Sequence, residues 1–350
     1  MRAAVWHNAK DVRVEENWEV KEVTKTDVKI KVAWAGICGS DLHEYLHGPI
    51  VIPANGPDAL TGDTAPIVMG HEFAGVIDEV GSDVSDFKKG DRVVVNPLYT
   101  HGVKPPTLDL YDGFAFAGLA SDGGFADYCV IPESMVHKVP EGMTLEEGAL
   151  VEPMAVTVQA LKEADFKFGQ TCTVFGAGPI GLCTIIAAKA AGASKIIVFD
   201  LSEERLKKAT EVGATHVFNS GNVDPVEEVK KIEPEGVDAS FEVAGVGVTL
   251  NQAIHTAKSR GTVVIVSIFT KGVEIKPMDL TVSGVKITSS LAYEPEVFQR
   301  TIDSIAAGAL DVKGVITDHI ELEAIVTDGF ERLSEDKSQA KILVKLSGES

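Results

Sequence analysis

A chain of 350 residues, with 45% hydrophobic and 24% charged residues, is long enough for two globular domains that each bury a core. Its formal net charge of −20 at pH 7 makes nucleic acid and anionic membrane surfaces unfavourable partners, because like charges repel. The polar first ten residues do not resemble a signal peptide, and the uncharged stretch at 172–188 contains glycine and proline, which favours a strand, a turn and a helix over a membrane span.

The first 150 residues predict short β-strands separated by turns. Alternating hydrophobic residues predict strands at 28–32, 73–80 and 91–95. Dense Gly and Pro predict a long loop over 48–70, and a stretch rich in Gly and aromatic residues predicts another over 99–124. This part of the chain should therefore form a β-rich domain.

The pattern changes after about residue 155, where short apolar strands alternate with helices. We predict strands at 171–175, 195–199, 237–242 and 261–268, and helices at 180–191 and 203–212. This alternation is typical of a doubly wound parallel sheet. The strand-like segment 341–344 follows near the end. We therefore predict an α/β protein with a β-rich catalytic domain at 1–155 and 292–350 and a Rossmann domain at 156–291.

A G-x-G-x-x-G pattern, formed by Gly176, Gly178 and Gly181, lies between a predicted strand and a predicted helix. The first glycine permits a tight turn, the second lets a pyrophosphate approach the backbone, and the third lets helix and strand pack closely. Free N–H groups at the helix N-terminus then bind the phosphates. The pattern alone is compatible with a simple turn, but its position favours a dinucleotide site.

Asp200 ends the next predicted strand, where its carboxylate would accept hydrogen bonds from both adenosine ribose hydroxyls and repel a 2′-phosphate. NAD is therefore favoured over NADP. Arg205 is a nearby cation that could tolerate a phosphate, or it could pair with acidic neighbours or the adenine. The predicted cofactor contacts are Gly176, Gly178, Pro179, Ile180, Gly181, Asp200, Arg205, Val243, Val266 and Ser267.

Cys38, His71 and a carboxylate form a plausible three-ligand zinc set with an open position for substrate. A lone cysteine or histidine is usually a core residue, but here the chain also carries a nicotinamide site, and hydride transfer from an alcohol needs a Lewis acid or a base. Glu72 and Glu152 compete for the third ligand position. Glu72 follows His71 directly and could approach the metal only when substrate leaves. We prefer Glu152 as the ligand and keep Glu72 as the alternative.

The motifs at 36–45, 70–72, 176–181, 241–245 and 341–344 resemble, in order, those of the zinc-dependent medium-chain alcohol and polyol dehydrogenases, over essentially the whole chain. The resemblance implies a GroES-like first domain, with the active site in the cleft facing the Rossmann domain. It also implies that Cys38 and His71 bind a catalytic zinc. Ser40 and His43 would relay the alcohol proton to solvent through the nicotinamide ribose, since residues three apart can share one helical face.

Two departures from the family pattern narrow the expectation. Many members hold a structural zinc with four closely spaced cysteines in a lobe that should fall near 97–129, where this chain has only Cys129, so we expect one zinc per chain. Glu152 stands where alcohol dehydrogenases place another cysteine, which matches the polyol branch. The long interval between Cys38 and His71 resembles the members that act on butane-2,3-diol.

We therefore predict an NAD- and zinc-dependent oxidoreductase of the EC 1.1.1 class for a small secondary alcohol or vicinal diol, with butane-2,3-diol and acetoin as the leading pair. The alternatives are a sorbitol, glycerol or threonine dehydrogenase, a zinc-free quinone reductase, which would not need the metal residues, and a non-catalytic NAD-binding protein. Four apolar side chains are candidate walls of the substrate pocket: Tyr45, Ile50, Phe114 and Phe116. The four cysteines show no disulfide framework, so we expect a cytoplasmic protein. We also expect it to be a homo-oligomer, either a dimer or a tetramer.

Overall fold

The computed structural model describes residues 1–101 and 113–349. Two compact units make up the chain. The first comprises the described residues of Met1–Glu152, Glu294–Ala306 and Ile316–Ser350, and the second comprises Pro153–Tyr293 and Ala307–Val315.

Strands and helices alternate along the described chain, with strands dominating the first third. The strands are β1 (Ala3–Asn8), β2 (Asp11–Glu15), β3 (Asp27–Gly36), β4 (Ile67–Val68), β5 (Glu72–Val80), β6 (Arg92–Val95), β7 (Leu98–Thr100), β8 (Phe114–Phe116), β9 (Tyr128–Pro132), β10 (Val136–Lys138), β11 (Thr171–Phe175), β12 (Lys195–Asp200), β13 (His216–Asn219), β14 (Val237–Glu242), β15 (Ala257–Ile265), β16 (Lys286–Ser289), β17 (Ile316–Glu321) and β18 (Lys341–Lys345). The α-helices are α1 (Gly39–His47), α2 (Leu145–Gly148), α3 (Val151–Glu163), α4 (Pro179–Ala190), α5 (Glu203–Val212), α6 (Pro225–Ile232), α7 (Gly247–Thr256), α8 (Pro277–Ser283), α9 (Pro295–Ala306) and α10 (Arg332–Glu335).

The main sheet of the first unit is built around β3. Its strands follow the order β10-β6-β5-β3-β18-β17 in the described residues, and β9 also pairs with β3. Side chains alternate between buried and half-buried along much of β3, as expected of a strand with one face on a core. Gly36, at the end of β3, lies opposite both Glu72 on β5 and Leu343 on β18. This register brings three segments that are distant in sequence together, two residues before Cys38.

Most of the predicted elements in the first unit are confirmed, and the two predicted loops need correction. The predicted strands at 28–32, 73–80 and 91–95 correspond to β3, β5 and β6. The predicted loop at 48–70 contains β4, which pairs with β1. The predicted loop at 99–124 contains strand β8, which pairs with β7, while its residues 102–112 lie outside the described part of the chain. The short strands escaped prediction because two or three residues show no periodicity.

In the second unit, β11 to β16 form a parallel sheet in the order β13-β12-β11-β14-β15-β16 among the described residues. The chain moves outward from β11 to β13 and then crosses back to β14, so a topological switch point lies between β11 and β14. In open α/β sheets, ligands bind beyond the carboxyl ends of the strands at this point. The fold is therefore the predicted combination of a β-rich first domain and a doubly wound parallel sheet.

The strand predicted at 261–268 was wrong in its bounds. Strand β15 runs over Ala257–Ile265, and Ile268 is 68% exposed rather than buried. The pairing with β14 ends where Glu242 faces Ile265, so the chain leaves the sheet after that residue. The apolar character of Ile268 misled the periodicity argument.

The uncharged stretch at 172–188 forms most of β11, a turn and most of α4. Across residues 1–101 and 113–349, every helix is too short or too polar to cross a membrane.

Candidate metal centre and nucleotide-binding turn

Helix α1 begins directly after Cys38 and carries three of the polar side chains around the candidate metal centre. The backbone N–H of Cys38 donates to Asp41 Oδ2 at 2.9 Å, so the carboxylate of the first turn fixes the start of the helix. Cys38 is half-buried and is the N-cap residue of the helix. Local sequence thus places the sulfur at a defined helix terminus.

Cys38, His71 and Glu72 form a group of potential metal ligands whose donor atoms all lie within 4.8 Å of one another. His71 and Glu72 are buried. His71 precedes β5 and Glu72 is its first residue, so the strand that pairs with β3 presents both side chains beside Cys38. A sulfur, a nitrogen and an oxygen donor are the set that zinc prefers in proteins. The residues present therefore fit a zinc ion.

The imidazole of His71 is oriented by two polar neighbours. Its Nδ1 lies 3.4 Å from Asp41 Oδ1 and its Nε2 lies 3.3 Å from Ser40 Oγ. Neither Nδ1 nor Asp41 Oδ1 has a hydrogen-bond partner among the described residues. Burial opposes a charge on the ring, but the carboxylate of Asp41 and the sulfur of Cys38 outweigh it and raise the pKa of His71 well above its ordinary value. The carboxylate near Nδ1 favours a proton on that nitrogen, and a metal ion that binds at Nε2 would have to displace the proton carried there.

Glu72 makes a buried ion pair with Lys341, the first residue of β18. Lys341 Nζ lies 2.7 Å from Oε1 and 2.6 Å from Oε2 of Glu72, and it also donates to the backbone carbonyl of Ile37 at 3.0 Å. The side chains of both residues are almost completely buried. The carboxylate of Glu72 is therefore already matched by a positive charge.

The other predicted residues of this centre occupy different positions. Glu152 is the second residue of α3 and is buried, but it does not belong to the group of three donors found among the described residues. Ser40 is half-buried and His43, one helical turn further along α1, is exposed. The pair thus runs from the side of His71 toward solvent on one helix, which is the direction that a proton relay requires.

The four candidate wall residues separate into different environments. The ring of Phe116 lies 6.2 Å from the ring of His71, and Phe114 packs edge-on against Phe116. Tyr45 instead stacks on Phe330 in the hydrophobic core, and Ile50 is 60% exposed. Only Phe116 is therefore seen beside a predicted ligand.

The glycine pattern forms a tight turn between β11 and α4. Gly176 adopts φ +106°, which favours glycine, and a Cβ atom on Gly181 would approach the carbonyl oxygen of Gly176 to 2.0 Å. Cγ2 of Val243, just beyond β14, would lie 3.3 Å from a Cβ atom on Gly176 and 3.4 Å from one on Gly181. Gly178 is the N-cap of α4 and Pro179 its first residue, followed by Ile180, so the free N–H groups of the helix face the turn.

Asp200 lies at the end of β12 and contacts the turn directly. Its Oδ2 accepts a hydrogen bond from the N–H of Ala177 at 2.7 Å, and its Oδ1 accepts one from the N–H of Ser202 at 2.9 Å. Arg205 Nη1 lies 4.0 Å from the point where a Cβ atom on Gly178 would stand. The carboxylate of Asp200 and the guanidinium of Arg205 therefore both lie beside the glycine turn, which is the candidate phosphate site.

Glu242, the last residue of β14, is buried and makes hydrogen bonds at the neighbouring strand ends. It accepts hydrogen bonds from the N–H groups of Ala244 and Gly245 at 3.0 and 2.9 Å and from the hydroxyl of Ser267. The N–H of Val266 donates to the carbonyl of Glu242 at 2.9 Å. Glu242 thus ties the predicted cofactor residues Val266 and Ser267 to the loop after β14.

Sequence reasoning missed Asp41, Glu242 and Lys341. Asp41 had a local signal, since an acidic residue three positions after a helix N-cap is a capping pattern. Glu242 was quoted only as part of a motif, although a charged residue at the end of a buried strand is itself unusual. Lys341 had no signal, because its partner Glu72 lies 269 residues away.

Comparison with known proteins places this geometry in a family. Residues 24–141 match the family described as "Alcohol dehydrogenase GroES-like domain" and residues 179–307 match "Zinc-binding dehydrogenase". The chain is 45% identical over 347 residues to the (R,R)-butanediol dehydrogenase of Bacillus subtilis (strain 168), covering 99% of each chain. It is 34% identical over 355 residues to the sorbitol dehydrogenase of the same strain, covering 98% of this chain and 97% of that protein.

A solved structure gives the same result at the level of the fold. The crystal structure of 2R,3R-butanediol dehydrogenase from Bacillus subtilis superposes with a TM-score of 0.94 at 44% identity, covering 98% of this chain and 99% of the other. The match extends over both units, and the Cys38–His71–Glu72 group and the glycine turn lie within it. The chain therefore belongs to the zinc-dependent alcohol dehydrogenase family, whose members are oxidoreductases.

Proposed function

We propose that this protein is an NAD- and zinc-dependent dehydrogenase that interconverts a short vicinal diol, with butane-2,3-diol foremost, and its hydroxyketone acetoin. The observation that carries the proposal is the presence, in one chain, of a Cys–His–Glu donor group, with its His and Glu buried, and of a glycine turn at a helix N-terminus. Its similarity to a butanediol dehydrogenase over 99% of the chain supports the substrate.

Two residues of the donor group and three residues of helix α1 have separate tasks in the proposed reaction. A zinc ion held by Cys38 and His71 would supply a Lewis acid that stabilises negative charge on the alcohol oxygen. Asp41, 3.4 Å from His71 Nδ1, orients the ring. Ser40 takes up the alcohol proton and His43, which is exposed, passes it to solvent.

We propose Glu152 as the third protein ligand. Glu72 lies within the donor group, but both its oxygens are held by Lys341 at 2.6–2.7 Å, and a carboxylate in such an ion pair is a poor competitor for a metal position. Glu152 is buried near the start of α3, and we propose that its carboxylate turns toward a bound ion. The lack of a four-cysteine lobe supports one zinc per chain.

The proposed cofactor is NAD. Asp200 lies beside the glycine turn and would accept hydrogen bonds from the ribose hydroxyls, while its charge disfavours a 2′-phosphate. Glu242 fixes the strand ends that carry Val266 and Ser267, which we propose as further cofactor contacts. We also propose a cytoplasmic homo-oligomer, dimer or tetramer, in which none of the four cysteines forms a disulfide.

Zinc content and NADH formation test the proposed function together. We expect one zinc per chain by elemental analysis and an increase in absorbance at the NADH band when NAD and butane-2,3-diol are added. Two tightly held zinc ions per chain would contradict the single-site proposal. A zinc-loaded chain that binds NAD but forms no NADH with any alcohol would favour a non-catalytic NAD-binding protein.

Replacing Asp200 with alanine should narrow the preference for NAD over NADP rather than abolish activity. The variant loses the ribose acceptor and the charge that repels a 2′-phosphate, and it also loses the hydrogen bond to Ala177. The KM for NAD should therefore rise, and the ratio of kcat/KM for NAD to that for NADP should fall by about tenfold to 100-fold, which corresponds to the loss of one or two hydrogen bonds to a charged group.

Glu211→Ala is the matched control, because it removes a carboxylate from the last turn of α5 away from the glycine turn. It should leave the cofactor ratio unchanged. Equal kcat/KM values for NAD and NADP in the wild-type protein would mean that Arg205 compensates for Asp200.

Replacing His43 with alanine should slow alcohol oxidation by about tenfold to 100-fold at neutral pH, at the lower end of what a positioned proton carrier contributes. The proton must then leave without a side-chain carrier, so added imidazole or a higher pH should restore part of the rate. The measurement is kcat for diol oxidation across pH, with and without imidazole.

His47→Ala is the matched control, since His47 lies in the last turn of the same helix and is also exposed. It should keep the wild-type pH profile. An unchanged pH profile of kcat for His43→Ala would show that His43 does not carry the proton.

A further inference from the structure

Lys341 is a buried lysine that the proposed reaction does not use. Its ammonium group contacts three oxygens, two on Glu72 and one on the backbone of Ile37, at 2.6–3.0 Å. An ammonium group has three hydrogens, so each donor has a partner. Both members of the ion pair are almost inaccessible to water.

The position of this ion pair links it to the candidate metal centre. Glu72 follows the predicted ligand His71, and Ile37 precedes the predicted ligand Cys38. Lys341 therefore contacts the chain on both sides of the donor group, from a strand that joins the sheet from far along the sequence.

The carboxylate of Glu72 has little freedom to move elsewhere. A Cβ atom on Gly36 would lie 2.2 Å from Glu72 Oε2, so the carboxylate occupies space that any larger residue at position 36 would fill. A buried carboxylate without a counter-charge is strongly unfavourable. If Lys341 were absent, a metal ion within the same donor group would be the nearest available positive charge.

Building on the proposed zinc site, we propose that Lys341 is a positioning residue that withholds Glu72 from the metal. By pairing with both oxygens of Glu72, Lys341 keeps this carboxylate from becoming a permanent ligand. The ligand position that substrate requires therefore stays open, and Glu152 supplies the third protein ligand. Removing the lysine converts Glu72 into a ligand.

The test compares metal retention in purified full-length variants loaded with zinc and then exposed to a chelator. Glu152→Gln should lose zinc at least about tenfold faster than the wild type, because it lacks a ligand. Adding Lys341→Met to Glu152→Gln should slow the loss of zinc by at least about tenfold relative to Glu152→Gln alone, because Glu72 replaces the missing ligand. Adding Glu72→Gln to this double variant should abolish the recovery.

A spectroscopic measurement distinguishes ligand exchange from a general effect on stability. In cobalt-substituted protein, Lys341→Met alone should change the visible absorption bands and make them insensitive to added butane-2,3-diol, since the open position is filled. The pair of substitutions Glu72→Gln and Lys341→Met, which removes both buried charges, should restore the response to the diol.

The outcomes separate the two proposals. A wild-type chain that holds no zinc would overturn the proposed function itself. A zinc-loaded wild type in which Lys341→Met neither rescues Glu152→Gln nor alters the cobalt bands would overturn only the role of Lys341. If Lys341→Met does not fold, the Glu72→Gln variant is used instead. Zinc loss from Glu72→Gln at the wild-type rate would support the proposal that Glu72 is not a ligand. Faster zinc loss would show that Glu72 is a ligand in the resting protein and would overturn the proposal.

Discussion

Replacing Cys38 with serine should remove zinc and lower kcat for diol oxidation by at least about 10³-fold. A hydroxyl is a far weaker zinc ligand than a thiolate, and without the ion nothing in the donor group stabilises negative charge on the alcohol oxygen. Such stabilisation is worth several kcal/mol of the activation barrier, and about 4 kcal/mol corresponds to a factor of 10³ in rate. The measurements are zinc per chain and kcat under saturating NAD.

The same variant should still bind NAD, because the glycine turn belongs to different elements from the donor group. Cys172→Ala is the matched control, since Cys172 is a buried cysteine on β11 outside the group. It should keep its zinc and most of its turnover. Full zinc content in Cys38→Ser would exclude Cys38 as a necessary ligand.

Butane-2,3-diol should exceed butan-2-ol in kcat/KM by up to ~10⁴-fold. The two compounds share a carbon chain and a reacting secondary hydroxyl, and they differ by one neighbouring hydroxyl. If the site has a buried polar group that binds the second hydroxyl, this group is left without a hydrogen-bond partner when a monoalcohol binds. The unpaired group strongly disfavours the monoalcohol. The carboxylate of Glu152, buried and proposed beside the metal, is the candidate acceptor.

The complete panel should contain the stereoisomers of butane-2,3-diol together with glycerol, sorbitol, threonine and ethanol at one pH. Butane-2,3-diol should lead, and the preferred stereoisomer is read directly from the panel. A kcat/KM for butan-2-ol within tenfold of that for the diol would contradict the proposed contact with the second hydroxyl. A lead of tenfold or more for sorbitol or threonine would assign a different substrate while leaving the zinc–NAD mechanism in place.

The sequence predicted those parts of the molecule whose signals are local. The glycine turn and its strand and helix follow from a six-residue pattern and the apolar runs on either side. Cys38 and His71 stood out as isolated ligand types near glycines, and both lie in the donor group. The bounds of β15 were wrong because the end of a strand is set by its neighbour, here the last residue of β14, and not by its own hydrophobicity.

The parts that could not be predicted depend on contacts between distant segments. Glu72 is neutralised by a cation that comes from β18, so the residues near Cys38 and His71 alone could not decide between Glu72 and Glu152 as the ligand. Likewise, the predicted wall residue Tyr45 belongs to the core because Phe330, far along the chain, stacks on its ring. Side-chain type and spacing carry no information on such pairings without a known register.

The register at the end of β3 also determines when the metal centre can mature during synthesis. Cys38, His71 and Glu72 leave the ribosome early, but the lysine that neutralises Glu72 is made 269 residues later. Until β18 is made, Glu72 has no Lys341 with which to pair. Closing a segment of this length is an entropic cost that must be met before the centre has its final charge balance. On the proposal that Lys341 withholds Glu72, a metal ion captured before β18 is made would take Glu72 as a ligand, and the arrival of β18 would release it.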